Sequence, residues 1–190
     1  MTMRLGCSLL VLLLSACASS PEMRFYTLNV VTPQAPSSAQ AEGSPVRIVR
    51  VTVPGELDRA QLVRRVDANR LQIAELDRWA APLDETIRRV LSADLAARLP
   101  PAMIVSAADS AASGASRALS VDIQEFSGDA SCAVTLRAAW ALTPPNGASA
   151  QGMEDVRVPA SGACATSALP AAMSEALAQL SDKIAASIAR

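Results

Sequence analysis

The thiol of Cys17 is the first group in the chain placed to do chemistry. It closes the tetrapeptide Leu14-Ser15-Ala16-Cys17, behind a lone basic residue, Arg4, and an apolar run over residues 5–14. That run is too short to cross a bilayer, which takes roughly 20 mostly apolar residues. A basic start, a short apolar core and small residues at its end mark a secretory signal peptide. An ordinary signal peptide needs no cysteine at the cut. The tetrapeptide resembles the bacterial lipobox, in which the cysteine sulfur is diacylated and the chain is cut just before it. The plain alternative is a secreted protein with a coincidental cysteine. On the lipobox reading, residues 1–16 are removed and Cys17 becomes the acylated N-terminus. Residues 17–23 are then a short tether and residues 24–190 a single periplasmic domain. Each buried acyl CH₂ contributes about 0.8 kcal/mol, so two or three chains hold a protein durably on a membrane. Ala18 follows the cysteine, where an Asp would favour inner-membrane retention in Gram-negative bacteria. The expected location is therefore the outer membrane, facing the periplasm.

The remaining chemistry is sparse. The chain has no histidine, which removes His-based acid–base catalysis, Ser-His-Asp triads and most zinc sites. Behind Cys17 stand two more cysteines, Cys132 and Cys164, a poor metal set without histidine. No glycine-rich phosphate loop is present. No catalytic residue, metal or cofactor is expected, and the protein is not expected to be an enzyme. Losing residues 1–16 removes only Arg4, which leaves 16 basic against 18 acidic residues, a net charge of −2. Nothing in that balance attracts nucleic acid.

Around these residues the pattern reads as alternating groups of strands and single helices. "MRFYTLNVV" (23–31) and "VRIVRVTV" (46–53) read as strands, separated by a Pro-, Ser- and Ala-rich flexible loop at about 32–45. "QLVRRV" and "RLQIAEL" flank Asp67-Ala68-Asn69 as a hairpin. Pro82 opens a helix in which Leu83, Ile87, Val90, Leu91 and Leu95 form one stripe, ended by Pro100-Pro101. "MIVS" (103–106) reads as a short strand before a small-residue loop. Leu119, Val121 and Ile123 alternate with Ser120, Asp122 and Gln124 in a half-buried strand. "CAVTLRAAWAL" and "VRVPASGAC" flank the turn "PPNGAS". Met173, Leu177, Leu180, Ile184 and Ile188 stripe a last helix. The fold class is α+β: a mixed, mostly antiparallel sheet with two main helices, about 82–99 and 169–189, packed on it.

The two late cysteines can be tested for pairing. A hairpin centred on Ala148 sets Cys132 opposite Cys164, Trp140 opposite Val156 and Ala138 opposite Val158. Opposed residues share a face at disulfide distance, and an exported location permits oxidation. A Cys132–Cys164 disulfide is the expectation; two buried free thiols are the alternative.

"FYTL" (25–28), "VTVPGELDRAQLVRR" (51–65), "NRLQI" (69–73), "DRWAAPL" (77–83) and "LSADLAARLP" (91–100) together resemble the ABC-type transport auxiliary lipoproteins. Glu56 and Ala60 stand where that family often has an aromatic and a proline. The resemblance implies a role in lipid or hydrophobic-molecule transport across the envelope, beside an MCE-domain protein that forms a conduit. Partners are then that MCE-domain protein and the membrane, through the anchor, with homo-oligomerisation compatible. A lipid carrier that itself encloses acyl chains, and a structural envelope lipoprotein, are the alternatives.

Five residues are candidates for partner binding. Leu57, Asp58 and Arg59 follow a Pro-Gly turn, as a recognition loop or as a strand-end turn with a local ion pair. Arg78 and Trp79 precede the first helix. Trp is enriched at binding hot spots, but core packing explains Trp79 equally well. Tyr26 and Leu28 read as core.

Overall fold

The computed structural model describes residues 21–33, 43–105, 116–161 and 165–189. The expected signal peptide at residues 1–16, Cys17, most of the loop at 32–45 and Cys164 lie outside the described residues. Among the described residues, seven strands and two long helices follow in the order β1 (Arg24–Tyr26), β2 (Val46–Thr52), β3 (Gln61–Asp67), β4 (Arg70–Trp79), α1 (Leu83–Arg98), β5 (Arg117–Gly128), β6 (Ala133–Thr143), β7 (Ala150–Pro159) and α2 (Leu169–Ile188). They form one mixed sheet in the order β1-β4-β3-β5-β6-β7, with β2 also on β5. The two longest ladders, β5–β6 and β6–β7, are antiparallel. The α+β class and the mixed sheet with two helices are as the sequence indicates.

Strand β5 organises the sheet. One of its edges is taken by β6 from Ala118 to Gly128. Both β2 and β3 must therefore use the other edge, one after the other. Residues 117–122 pair with β2, and Gly128 pairs with Arg64 of β3. Between those two strands the chain has to leave the edge and return, and that detour is the Pro54-Gly55 loop.

The helices cover one face. Ile87, Val90, Leu91 and Leu95 of α1 are fully buried, and α1 lies against β2 and α2. Asp84 and Glu85 in its first turn and Arg98 in its last complement the helix dipole. Helix α2 lies across β5, β6 and β7. On those strands Leu119, Val121, Ile123, Phe126, Val134, Leu136, Val156 and Val158 point into the core. A register shift between Ile123 and Glu125 changes the alternation, which is why Phe126 rather than Glu125 turns inward.

Two expectations are corrected. The first strand ends at Tyr26, not Val31. Residues 27–31 leave the sheet and strap the helices, with Leu28 fully buried. The strap's backbone is satisfied by helix side chains. Arg89 Nη2 donates to the Leu28 carbonyl at 3.0 Å, and the Asn29 N–H donates to Ser174 Oγ at 3.1 Å. The Val31 N–H donates to Asp94 Oδ1 at 3.0 Å, and Arg98 Nη1 donates to the Val31 carbonyl at 3.3 Å.

The second correction is the β6–β7 register. Trp140 pairs with Gly152, Ala138 with Glu154 and Leu136 with Val156. Gly152 is required there. A Cβ at that position would lie 2.7 Å from the Trp140 indole, so the ring rests on bare backbone. Strand β7 ends at Pro159, and the Ala160 N–H donates to the Cys132 carbonyl at 3.0 Å. Cys132 is disulfide-bonded and holds a positive φ of 61°. In this register Ala160 stands beside Cys132, and Cys164 lies outside the described residues.

Candidate partner-binding site

The detour between β2 and β3 is a tight knot of backbone. Leu57 N–H and Asp58 N–H both donate to the Pro54 carbonyl, at 2.9 and 3.2 Å, and Arg59 N–H donates to the Leu57 carbonyl at 2.8 Å. The end of β4 closes on it: Trp79 N–H donates to the Ala60 carbonyl at 2.7 Å. Two stretches singled out in the sequence, residues 57–59 and 78–79, thus meet. Asp58, Arg59, Ala60, Trp79, Ala81, Pro82 and Leu83 line a surface cavity of about 320 Å³.

The five candidates separate by face. Asp58 and Arg59 are exposed on the rim. Neither side chain has an ion-pair or hydrogen-bond partner among the described residues, so the local pair is not formed. Trp79 is 7% exposed and supplies a wall of the cavity. Leu57 is buried behind it, where an inner void of about 10 Å³ is also lined by Trp79, Phe126, Leu169 and Met173. Arg78 does not join the cavity. Neighbouring strand residues face opposite ways, and Arg78 lies in the row Phe25–Arg78–Gln61 across β1, β4 and β3.

A second cluster has no sequence signal. Asp77 is buried, and its Oδ1 receives Arg24 Nε at 2.7 Å and the Tyr26 hydroxyl at 3.1 Å. Burial, then the bond to Asp77, raises the Tyr26 pKa. This cluster fixes β1 to β4 where the chain enters the domain. A lone Asp within a strand pattern gives no hint that it is buried.

The family model described as "ABC-type transport auxiliary lipoprotein component" matches residues 26–185. The chain belongs to the ABC-type transport auxiliary lipoprotein family. The matched span contains the cavity, the first helix, every strand from β2 to β7 and all but the last turn of α2. This auxiliary lipoprotein is 29% identical over 130 residues to the intermembrane transport lipoprotein PqiC of Escherichia coli K12, covering 68% of each chain. The PqiC of Shigella flexneri matches to the same extent. A crystal structure of an uncharacterized protein superposes with a TM-score of 0.74 at 22% identity, over 88% of this chain and 99% of that one. A Xanthomonas campestris protein superposes with a TM-score of 0.67 at 17% identity, over 84% and 91%. These two show the fold. The auxiliary lipoprotein is thus PqiC-like in sequence, a component of a transport system. No helix among the described residues is long and apolar enough to cross a membrane.

Proposed function

We propose that the folded body is a non-catalytic adaptor, held at the outer membrane through acylated Cys17, that docks the end of an MCE-domain conduit of an intermembrane transport system. The observation that carries the reading is the cavity beside Trp79. Two charges of opposite sign on its rim have no partner among the described residues, and its inner wall is apolar. An apolar floor with unpaired charges around it fits a protein partner, whose own charges complete the pairs. The lipobox and Ala18 support the location, and the PqiC relatives support the transport role.

The carrier alternative requires an enclosed apolar cavity large enough for acyl chains. The inner void of about 10 Å³ is far too small. A groove of about 750 Å³ between β2 and β7 is open to solvent and carries Arg50, Asp122 and Gln151.

The test replaces Asp58 and Arg59 together with Ala. Both are exposed and have no partner among the described residues, so the melting temperature should stay within a degree or two. Association with the MCE-domain protein should weaken roughly ten- to a hundred-fold, the equivalent of about 1.5–3 kcal/mol for charge-assisted contacts. Unchanged binding with unchanged melting would remove this cavity from the interface. Phospholipid extraction from vesicles by the body alone would replace the adaptor with a carrier.

A further inference from the structure

Strand β1 sorts its side chains by face. Arg24 and Tyr26 both reach Asp77, so Phe25 between them turns the other way and is 63% exposed. Met23, two residues earlier, is 41% exposed. Directly across from Phe25 stands Arg78, which has no ion-pair partner among the described residues. Its Nε is buried without a hydrogen-bond partner. Two apolar side chains and an unpaired cation therefore lie side by side at the point where the chain enters the domain. Val49 and Met153, also exposed and apolar, lie on β2 and β7, far across the sheet.

The chain preceding this patch names its occupant. Six residues separate Cys17 from Arg24, a span of at most about 25 Å when extended. A bilayer holding the acyl chains is then always within reach, at high effective concentration. Its chemistry also matches. Apolar side chains enter the boundary between headgroups and acyl chains, while a guanidinium meets lipid phosphate.

We propose that Met23, Phe25 and Arg78 form a second contact with the leaflet that holds the acyl chains of Cys17, with Arg78 on lipid phosphate. The contact rests on the reading of Cys17 as the acylated residue. It turns the exposed side of β1 to the membrane and fixes how the domain stands on it, which a flexible tether alone does not.

The test uses the full acylated chain with Phe25→Trp, bound to phosphatidylethanolamine vesicles with and without phosphatidylglycerol. Trp79 and Trp140 are buried, so subtracting the parent protein's emission isolates the new indole. Vesicle binding should shift that emission to the blue and cut its quenching by aqueous iodide roughly two-fold, as expected for a ring at headgroup depth. Phosphatidylglycerol should increase the protection, and Arg78→Gln should remove the increase. Protein that floats with the vesicles while its new indole stays open to iodide would overturn the contact and leave the anchor standing. Protein that fails to float would overturn the anchor and the contact with it. Protection that follows protein concentration and ignores vesicles would assign the patch to a second copy of the chain.

Discussion

At the scale of single residues, Asp94 is the most consequential group outside the cavity. It is fully buried on α1, and burial pushes its carboxyl up to about 6. Asp182 and Glu175 of α2 add to the rise, while the Val31 N–H and Arg98 oppose it. Its Oδ1 holds the strap and its Oδ2 has no partner. A carboxyl raised in the folded state is protonated there while the unfolded chain is ionised. The fold then binds the extra proton, and stability is lost as pH climbs from about 4 through about 6. Asp129 acts in the opposite sense. Burial would raise it, but bonds from Ser131, Ala133 and Arg157 outweigh that and hold it at about 2. Its contribution is present above the ordinary carboxylate range and disappears as pH falls towards 2. The melting temperature is therefore expected to rise from pH 7 to about 5, then fall below about 4. The Asp94 part is worth at most about 3 kcal/mol. Thermal melts across that range check it, and Asp94→Asn should flatten the segment between pH 5 and 7. A parent protein with equal melting temperatures at pH 5 and 7 would exclude the effect.

At the scale of elements, the two helices were legible because their stripes are long and bounded. Leu83 to Leu95 and Met173 to Ile188 repeat at helical spacing, with Pro82, Pro100 and Pro170 at the ends. The strap was not legible. "TLNVV" carries strand residues, and only tertiary partners on α1 and α2 take its backbone out of the sheet. The β6–β7 register departs from the sequence expectation for a related reason. Alternation fixes which face a residue occupies but not which partner it meets, and Gly152 under Trp140 decides the pairing. The meeting of residues 57–59 with Trp79 also lay beyond sequence, because it depends on β2 and β3 sharing one edge of β5. The disulfide stands differently once the register is corrected. Ala160 bonds to Cys132, and four further residues bring the chain to Cys164, a reach of about 14 Å at most. A Cys132–Cys164 bond remains the expected pairing, held by proximity rather than by cross-strand opposition. Closing a loop of about 30 residues should stabilise the fold by roughly 3–4 kcal/mol. Non-reducing peptide mapping of protein from the periplasm should find the two joined. A Cys164 thiol open to alkylation would refute the pairing.

For the whole molecule, anchor and body are separable. Every described strand and helix begins at or after Arg24, and the family match begins at residue 26. The described fold thus begins after Cys17, and the acylation proposed there bears on where the body stands rather than on how it folds. With Cys17 acylated, the six residues between it and Arg24 would be too short to carry the domain across a periplasm. It suits a partner that arrives at the membrane and is met there. Replacing Cys17 with Ser should accordingly leave the melting curve of the folded body unchanged. Incorporation of labelled palmitate should fall to background. The protein should then be found either with its leader uncut or free in the soluble fraction. On the proposed adaptor reading, loss of the anchor should also abolish transport-dependent function even though the Asp58 and Arg59 cavity is intact, since a released adaptor would no longer hold the conduit end in place. Equal palmitate labelling of both proteins would refute the lipidation. A soluble Cys17→Ser protein that fully restores function would instead show that the body works without standing on a membrane.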